Sequence, residues 1–101
     1  MANRLDLQTM LEGLLGSRNV YYQPPASVSM RYPAIRYSRK DIDNTFADNT
    51  VYMQALCYEI VVIDKNPDSE YVRKVSQLPR CRFDRHYTAD NLNHDVFTIY
   101  Y

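Results

Sequence analysis

The chain has no tryptophan, two glycines, two cysteines, no net charge and no long apolar run. Each shortage removes a class of function. Gly13 and Gly16 are the whole glycine supply, so neither GxGxxG nor GxxxxGK[ST] can be written and no glycine-rich loop can cradle a phosphate. This argues against nucleotide binding of the common kinds. Twelve basic side chains balance twelve acidic ones, which leaves no global positive field to hold nucleic acid over the whole surface. Such a contact would have to be a local patch. No apolar stretch approaches the roughly 20 residues that cross a bilayer, so no membrane partner is expected. The opening Met1-Ala2-Asn3-Arg4-Leu5-Asp6 lacks the charged-then-apolar layout of a signal peptide, and the chain is expected in the cytoplasm when made. Cys57 and Cys81 each sit inside a strand pattern and form no CxxC, so reduced core thiols are expected rather than a disulfide.

What remains is a small, tyrosine-rich domain of ordinary globular composition. Its 101 residues fit one domain, residues 1–101, with no room for a second core. Apolar residues make up 46% and charged ones 24%, too apolar and aromatic for a disordered chain. Ten tyrosines suit a thin sheet or an interface that is part wet and part dry, although tyrosine is also simply a good strand residue.

From Asn3 to Ser17 the residues Leu5, Leu7, Met10, Leu11, Leu14 and Leu15 recur at three- and four-residue intervals, the stripe of an amphipathic helix. Asn3 or Asp6 could cap it, Gly16 stands where it should stop, and Gly13 weakens it by about 1 kcal/mol relative to alanine. Val20-Tyr21-Tyr22-Gln23-Pro24-Pro25 is an extended piece that its two prolines confine to an edge strand or a loop start. Tyr32 to Ser38 resumes strand character. Arg39 to Thr50 is polar, carries Asp41, Asp43, Asn44, Asp48 and Asn49, and is expected to be a long loop of about twelve residues, a length more often functional than idle.

Val51 to Asp64 is the expected spine. Tyr52, Leu56, Tyr58, Ile60 and Val62 fall on one face, and Cys57, Val61 and Ile63 join Glu59 on the other, so the later half is covered on both sides. The early half, Val51 to Ala55, is free to project past the sheet. Lys65 to Ser69 is a turn and a cap for a second helix, whose inner face is Tyr71, Val72, Val75 and Leu78 and whose end is Pro79. Two further period-two runs, Leu78 to Tyr87 and Asp95 to Tyr101, are joined by a polar stretch and read as paired strands. The order of elements predicts an α+β domain: a mainly antiparallel or mixed sheet of four to five strands with two helices packed on it.

Chemistry is harder to find. His86 and His94 with Asp84, Asp90 or Asp95 match no ligand spacing, and loop aspartates usually make local turns. Asp64 with Asp68, or Glu59 with Lys65, is more economically a strand end and a helix cap. No catalysis, metal or cofactor is expected. On strict alternation Arg80, Arg82, Asp84 and His86 share one face of the last hairpin, and Cys81, Phe83, Arg85 and Tyr87 the core face. The first set could be solvated, bridge to a neighbouring subunit or touch a phosphate.

The segments Asn19-Val20-Tyr21-Tyr22-Gln23-Pro24-Pro25, Met30-Arg31-Tyr32-Pro33-Ala34-Ile35, Ile63-Asp64-Lys65-Asn66-Pro67-Asp68-Ser69 and Leu78 to His94 carry a further signal. Together they resemble tail terminator (tail completion) proteins of long-tailed bacteriophages. The most specific part is Phe-Asp-Arg-His-Tyr-Thr-Ala-Asp-Asn-Leu-Asn-His, Phe83 to His94. The resemblance implies a tail-terminator-like fold and a structural virion protein of the neck, or head-tail junction, assembled in the host cytoplasm. Its partners would be itself in a homo-hexameric ring, the tail tube protein, and the head connector or stopper, with genomic DNA passing the lumen without sequence reading. Under that resemblance Arg80, Arg82, Asp84, His86, Asp41, Asp43 and Phe46 become candidate subunit contacts, and Arg31, Arg36, Arg39 and Lys40 candidates for facing DNA. The alternatives are another neck protein, a head completion or stopper protein, or a small nucleic-acid-binding module.

Overall fold

A computed structural model describes residues 4–25, 29–47 and 50–100, with the side chains of 41–47 and 50–55 excepted. In chain order the elements are α1 (Arg4–Leu15), β1 (Val20–Tyr22), β2 (Ala34–Ala47), β3 (Thr50–Asp64), α2 (Glu70–Ser76), β4 (Cys81–Ala89) and β5 (Leu92–Tyr100). The strands form one sheet in the order β1-β2-β3-β5-β4, in which β1 runs parallel to β2 and every other pair is antiparallel. The architecture is the expected α+β sheet with two helices, and β1 makes it mixed.

β3 takes the centre because its later half is apolar on both faces, and β5 beside it is buried on both sides as well. Ile60 and Val62 are fully buried on the face that carries the helices, and Val61 and Ile63 nearly so on the other. The larger core lies between helices and sheet, where Leu7, Leu11 and Leu15 of α1 and Val75 of α2 meet Ile35, Tyr37, Tyr58, Ile60, Phe97 and Ile99. Each such aliphatic or aromatic side chain contributes about 1.5–3 kcal/mol on burial. A smaller cluster, Val61, Ile63, Leu92 and Val96, sits on the opposite face with Met30 against it. Leu5 departs from the expected helical stripe and is exposed, because it lies two residues from Leu7 and so points from a different side of α1. Gly16, at φ +75°, ends α1 in the left-handed conformation, its N–H bonding Glu12 O at 2.9 Å. Asn3, one of the two proposed caps, lies outside the described residues. Ser69 caps α2, its hydroxyl accepting from the Tyr71 N–H at 3.3 Å.

A polar network ties α1 to the sheet at the β1–β2 seam. The Tyr37 hydroxyl donates to Gln8 Oε1 and accepts from Arg4 Nη1 at 3.3 Å, while Gln8 Nε2 donates to Val20 O and to Glu12 Oε2, each at 3.1 Å. The Arg4 guanidinium also lies 4.4 Å over the Tyr22 ring, which tilts against Tyr37. Burial pushes the Tyr37 hydroxyl pKa up, against the lowering influence of Arg4.

The expected loop from Arg39 to Thr50 is instead strand wherever it is described; Asp48 and Asn49 lie outside the described residues. The β2–β3 ladder continues from Asp41↔Cys57 to Ala47↔Thr50 with shifts at Arg39/Asp41 and Thr45/Phe46. Among the described residues β1 stops short of it, at Tyr22↔Tyr37, and β5 reaches only its first pair, at Cys57↔Tyr100. A two-stranded arm therefore projects from the sheet, as the early half of β3 was free to do. At about 3.3 Å per residue its seven β2 residues reach roughly 20 Å. The polar composition concealed it because a ribbon that pairs only with itself needs no apolar face.

The last hairpin is tighter than its polar connection suggested. Thr88, Ala89, Leu92, Asn93 and His94 are all in strands, leaving Asp90 and Asn91 as a two-residue turn at φ 54° and 61°. Two left-handed residues are what a hairpin turn matching the strand twist requires.

Candidate functional site

β4 is the edge of the sheet, and every residue from Arg82 to Thr88 is exposed. Its pairing to β5 slips once: Phe83 faces Phe97 and Arg85 faces Val96, so Asp84 is an extra residue with no opposite partner. Such a bulge resets the alternation of side chains. Arg82, Arg85 and Tyr87 consequently share the face away from the helices, whereas Cys81, Phe83 and His86 stand on the helix-bearing side.

This corrects the two sets expected from strict alternation. Arg80, Arg82, Asp84 and His86 do not share a face: Arg80 precedes the strand at φ 59° and its carbonyl accepts from the Tyr100 N–H at 3.1 Å, while Asp84 occupies the bulge. His86 turns to Asp95, Nδ1 to Oδ1 at 2.9 Å. Tyr87 is not core, being 36% exposed, and Phe83 is 52% exposed although its ring meets Phe97 edge-on at 5.5 Å. Tyr87 stacks on His94 at 4.6 Å and accepts from Arg36 Nη2 at 3.5 Å. His86 and His94 thus occupy successive cross-strand pairs on opposite faces of the hairpin. Among the described residues no three His, Cys, Asp or Glu side chains come together in a way that could hold a metal ion.

The sheet face away from the helices is cationic. One cross-strand row reads Arg36, Val61, Val96, Arg85, and the next reads Ser38, Glu59, Thr98, Arg82. Val61 and Val96 lie buried between the two arginines of the first row. Lys40 reaches over the second, its Nζ 3.5 Å from Thr98 Oγ1. Glu59 and the bulged Asp84 are the acids beside these four cations, and Asp84 pairs with Arg85 at 2.8 Å. The surface is open, with a groove of about 340 Å³ between Gln23, Pro24, Arg36 and Glu59 and another of about 250 Å³ where Arg36 nears Ile63 and His94.

Of the proposed DNA-facing set, Arg36 and Lys40 share this face. Arg39 pairs with Tyr58 and stands on the helix-bearing side, and Arg31 lies near the β4–β5 turn in a groove shared with Lys65 and Asp90. The four form no single surface. Asp41, Asp43 and Phe46 lie in the arm's β2 half, and their side chains are outside the described residues. Sequence alternation missed Arg85 and Tyr87 as members of the cationic face. The available sign was Arg85 itself, a charge stranded among supposedly core-facing residues, which a bulge explains.

The two thiols are unpaired: Cys57 is buried and Cys81 half-buried, and burial pushes Cys81 from 9.0 up to about 11. A thiol held protonated in this way is a poor nucleophile. Asp64 and Asp68 serve the turn before α2: Asp64 Oδ1 accepts from the Asn66 N–H at 3.1 Å and Asn66 Oδ1 from the Asp68 N–H at 3.0 Å. No helix among the described residues is long and apolar enough to cross a membrane. Comparison with protein-family models, curated proteins and solved structures returns no match.

Proposed function

We propose that the chain is a structural subunit of a bacteriophage neck, closing with copies of itself into a hexameric ring that terminates the tail tube and meets the head connector. The observation that carries this is the arm. A small chain extends two strands well past its own sheet, where, beyond Cys57 and among the described residues, they pair with each other alone. A ribbon of that kind is suited to reaching another molecule.

Ring growth needs two dissimilar, complementary surfaces on each subunit, joined head to tail through contacts that close by rotation. The arm and the exposed strand β4 are two such surfaces at different places in the fold. A small domain would also gain stability from assembly. In this role the chain needs no reaction of its own, and the open cationic face would meet a phosphate backbone through charge alone.

The test is light scattering of the purified chain over a range of concentrations, alone and with isolated tail tubes, followed by imaging of capped tubes. A hexameric mass or a ring at the tube end is the expected result. A monomer at every concentration that also fails to bind tubes overturns the proposal.

A further inference from the structure

We propose that the ring, if the chain builds one as argued above, is held by sheet extension: the arm of one copy lies along the outer edge of β4 of the next. The inference rests on the ring reading and specifies its contact.

The first argument is backbone pairing. β4 is nine residues long and terminal in the sheet, so one of its sides has no strand partner. The arm is likewise a two-stranded ribbon with open sides, and its β2 half supplies seven residues, from Asp41 to Ala47, enough to match most of β4. Adding a strand to an exposed edge provides main-chain hydrogen bonds independently of side-chain identity. β1 at the opposite edge is three residues long and offers much less.

The second argument is charge. From Asp41 to Asp64 there is no lysine or arginine, and the described β2 half of the arm holds Asp41 and Asp43. β4 and its approach carry Arg80, Arg82 and Arg85 against Asp84. The zero net charge of the whole chain thus conceals an arm that is acidic and an edge that is basic. Two arms, or two edges, would repel each other, whereas an arm against an edge attracts, which selects head-to-tail contact over a two-fold one.

The third argument is apolar exposure. Phe83, Tyr87 and Tyr100, three of the five large apolar side chains left exposed among the described residues, are all on the β4–β5 hairpin. A strand laid beside β4 would cover part of this surface.

The bulge and the arginines have a competing explanation. Both are ordinary means of keeping a free edge from pairing indiscriminately. If protection were their whole purpose, reversing the edge charges would leave assembly unchanged.

Two full-length variants separate these possibilities: an arm reversal, Asp41→Arg with Asp43→Arg, and an edge reversal, Arg82→Asp with Arg85→Asp. Each is examined by light scattering and native mass spectrometry, alone and mixed. Wild type is expected to assemble, each variant alone to assemble at least about tenfold more weakly, and the equimolar mixture to recover assemblies holding equal numbers of both. Recovery follows because the acidic arm of one variant meets the basic edge of the other, and the reversed arm meets the reversed edge. Far-ultraviolet circular dichroism checks folding. Should a reversal unfold the chain, the neutral pairs Asp41→Asn with Asp43→Asn and Arg82→Gln with Arg85→Gln replace it, each expected to weaken assembly. Wild-type rings alongside variants that assemble equally well, or a mixture that stays monomeric, would overturn the arm-on-edge contact and leave the ring standing. A wild-type chain that never assembles, with or without tubes, would remove both.

Discussion

Replacing Tyr37 by phenylalanine isolates the hydroxyl that joins α1 to the sheet. The ring is 1% exposed, tilted against Tyr22 and edge-on to Tyr58 at 6.1 Å, and phenylalanine keeps those contacts. What disappears is the donor to Gln8 Oε1 and the acceptor for Arg4. Arg4 retains its place over Tyr22, and Gln8 Nε2 retains Val20 O and Glu12, so the principal loss is one partly buried hydrogen bond with an under-satisfied amide oxygen. Such a loss costs about 1–2 kcal/mol, a net bond of about 1 kcal/mol plus part of the desolvation cost of the orphaned oxygen. In a domain of this size each kcal/mol moves the melting temperature by about 4–8 °C. Urea unfolding followed by circular dichroism should show a lower midpoint with an unchanged slope. A double-mutant cycle with Gln8→Leu should return a coupling of about 0.5–1.5 kcal/mol, since side chains in contact do not act additively. Equal stability of wild type and Tyr37→Phe, or strict additivity in the cycle, would show that the network does not hold α1 to the sheet.

The turn and the half-buried thiol provide two further checks. Asn91→Gly should raise stability by up to about 1 kcal/mol because glycine adopts φ 61° without strain, and Asn91→Val should lower it by about 1–2 kcal/mol; thermal melts in which both variants fall or neither moves would contradict the turn geometry. Cys81 is raised in the folded state, so its contribution to stability is complete below the unfolded thiol pKa and is lost as pH rises from about 9 toward 11; iodoacetamide should label it slowly at pH 8 and faster toward pH 11, and rapid labelling of the folded chain at pH 8 would refute its burial.

The parts of the fold that bury apolar surface were readable from the chain, and the parts that do not were hidden. β3 announced itself because apolar residues on both faces have one economical place in a sheet. α1 announced itself through Leu7, Leu11 and Leu15. The arm escaped notice because pattern recognition detects strands by what they bury, and residues 41–47 are held by a backbone ladder that the sequence does not spell out. The two-residue turn was legible in principle, since Asp90-Asn91 supplies two residues that tolerate left-handed backbone. The face assignment of β4 failed at one position. A period of two transmits a single extra residue to everything beyond it, and Asp84 moved Arg85 and Tyr87 out of the core set and His86 across to the helix-bearing side.

The sheet order also governs how the molecule comes together. β2 with β3 and β4 with β5 are neighbours in sequence, and hairpins of this kind form on a timescale of about 1–10 μs. Neither is durable alone. The two halves are joined in the sheet only through β3 and β5, whose pairs reach from Asp64↔Asn93 to Cys57↔Tyr100 and enclose α2 and β4 within the intervening chain. Closing that seam spends the most chain entropy and brings Ile60 against Phe97, so it is the step at which the chain commits to its native topology. A ribosome must therefore release β5 before the seam can close, and until then the half-finished sheet leaves one side of β3 unpaired.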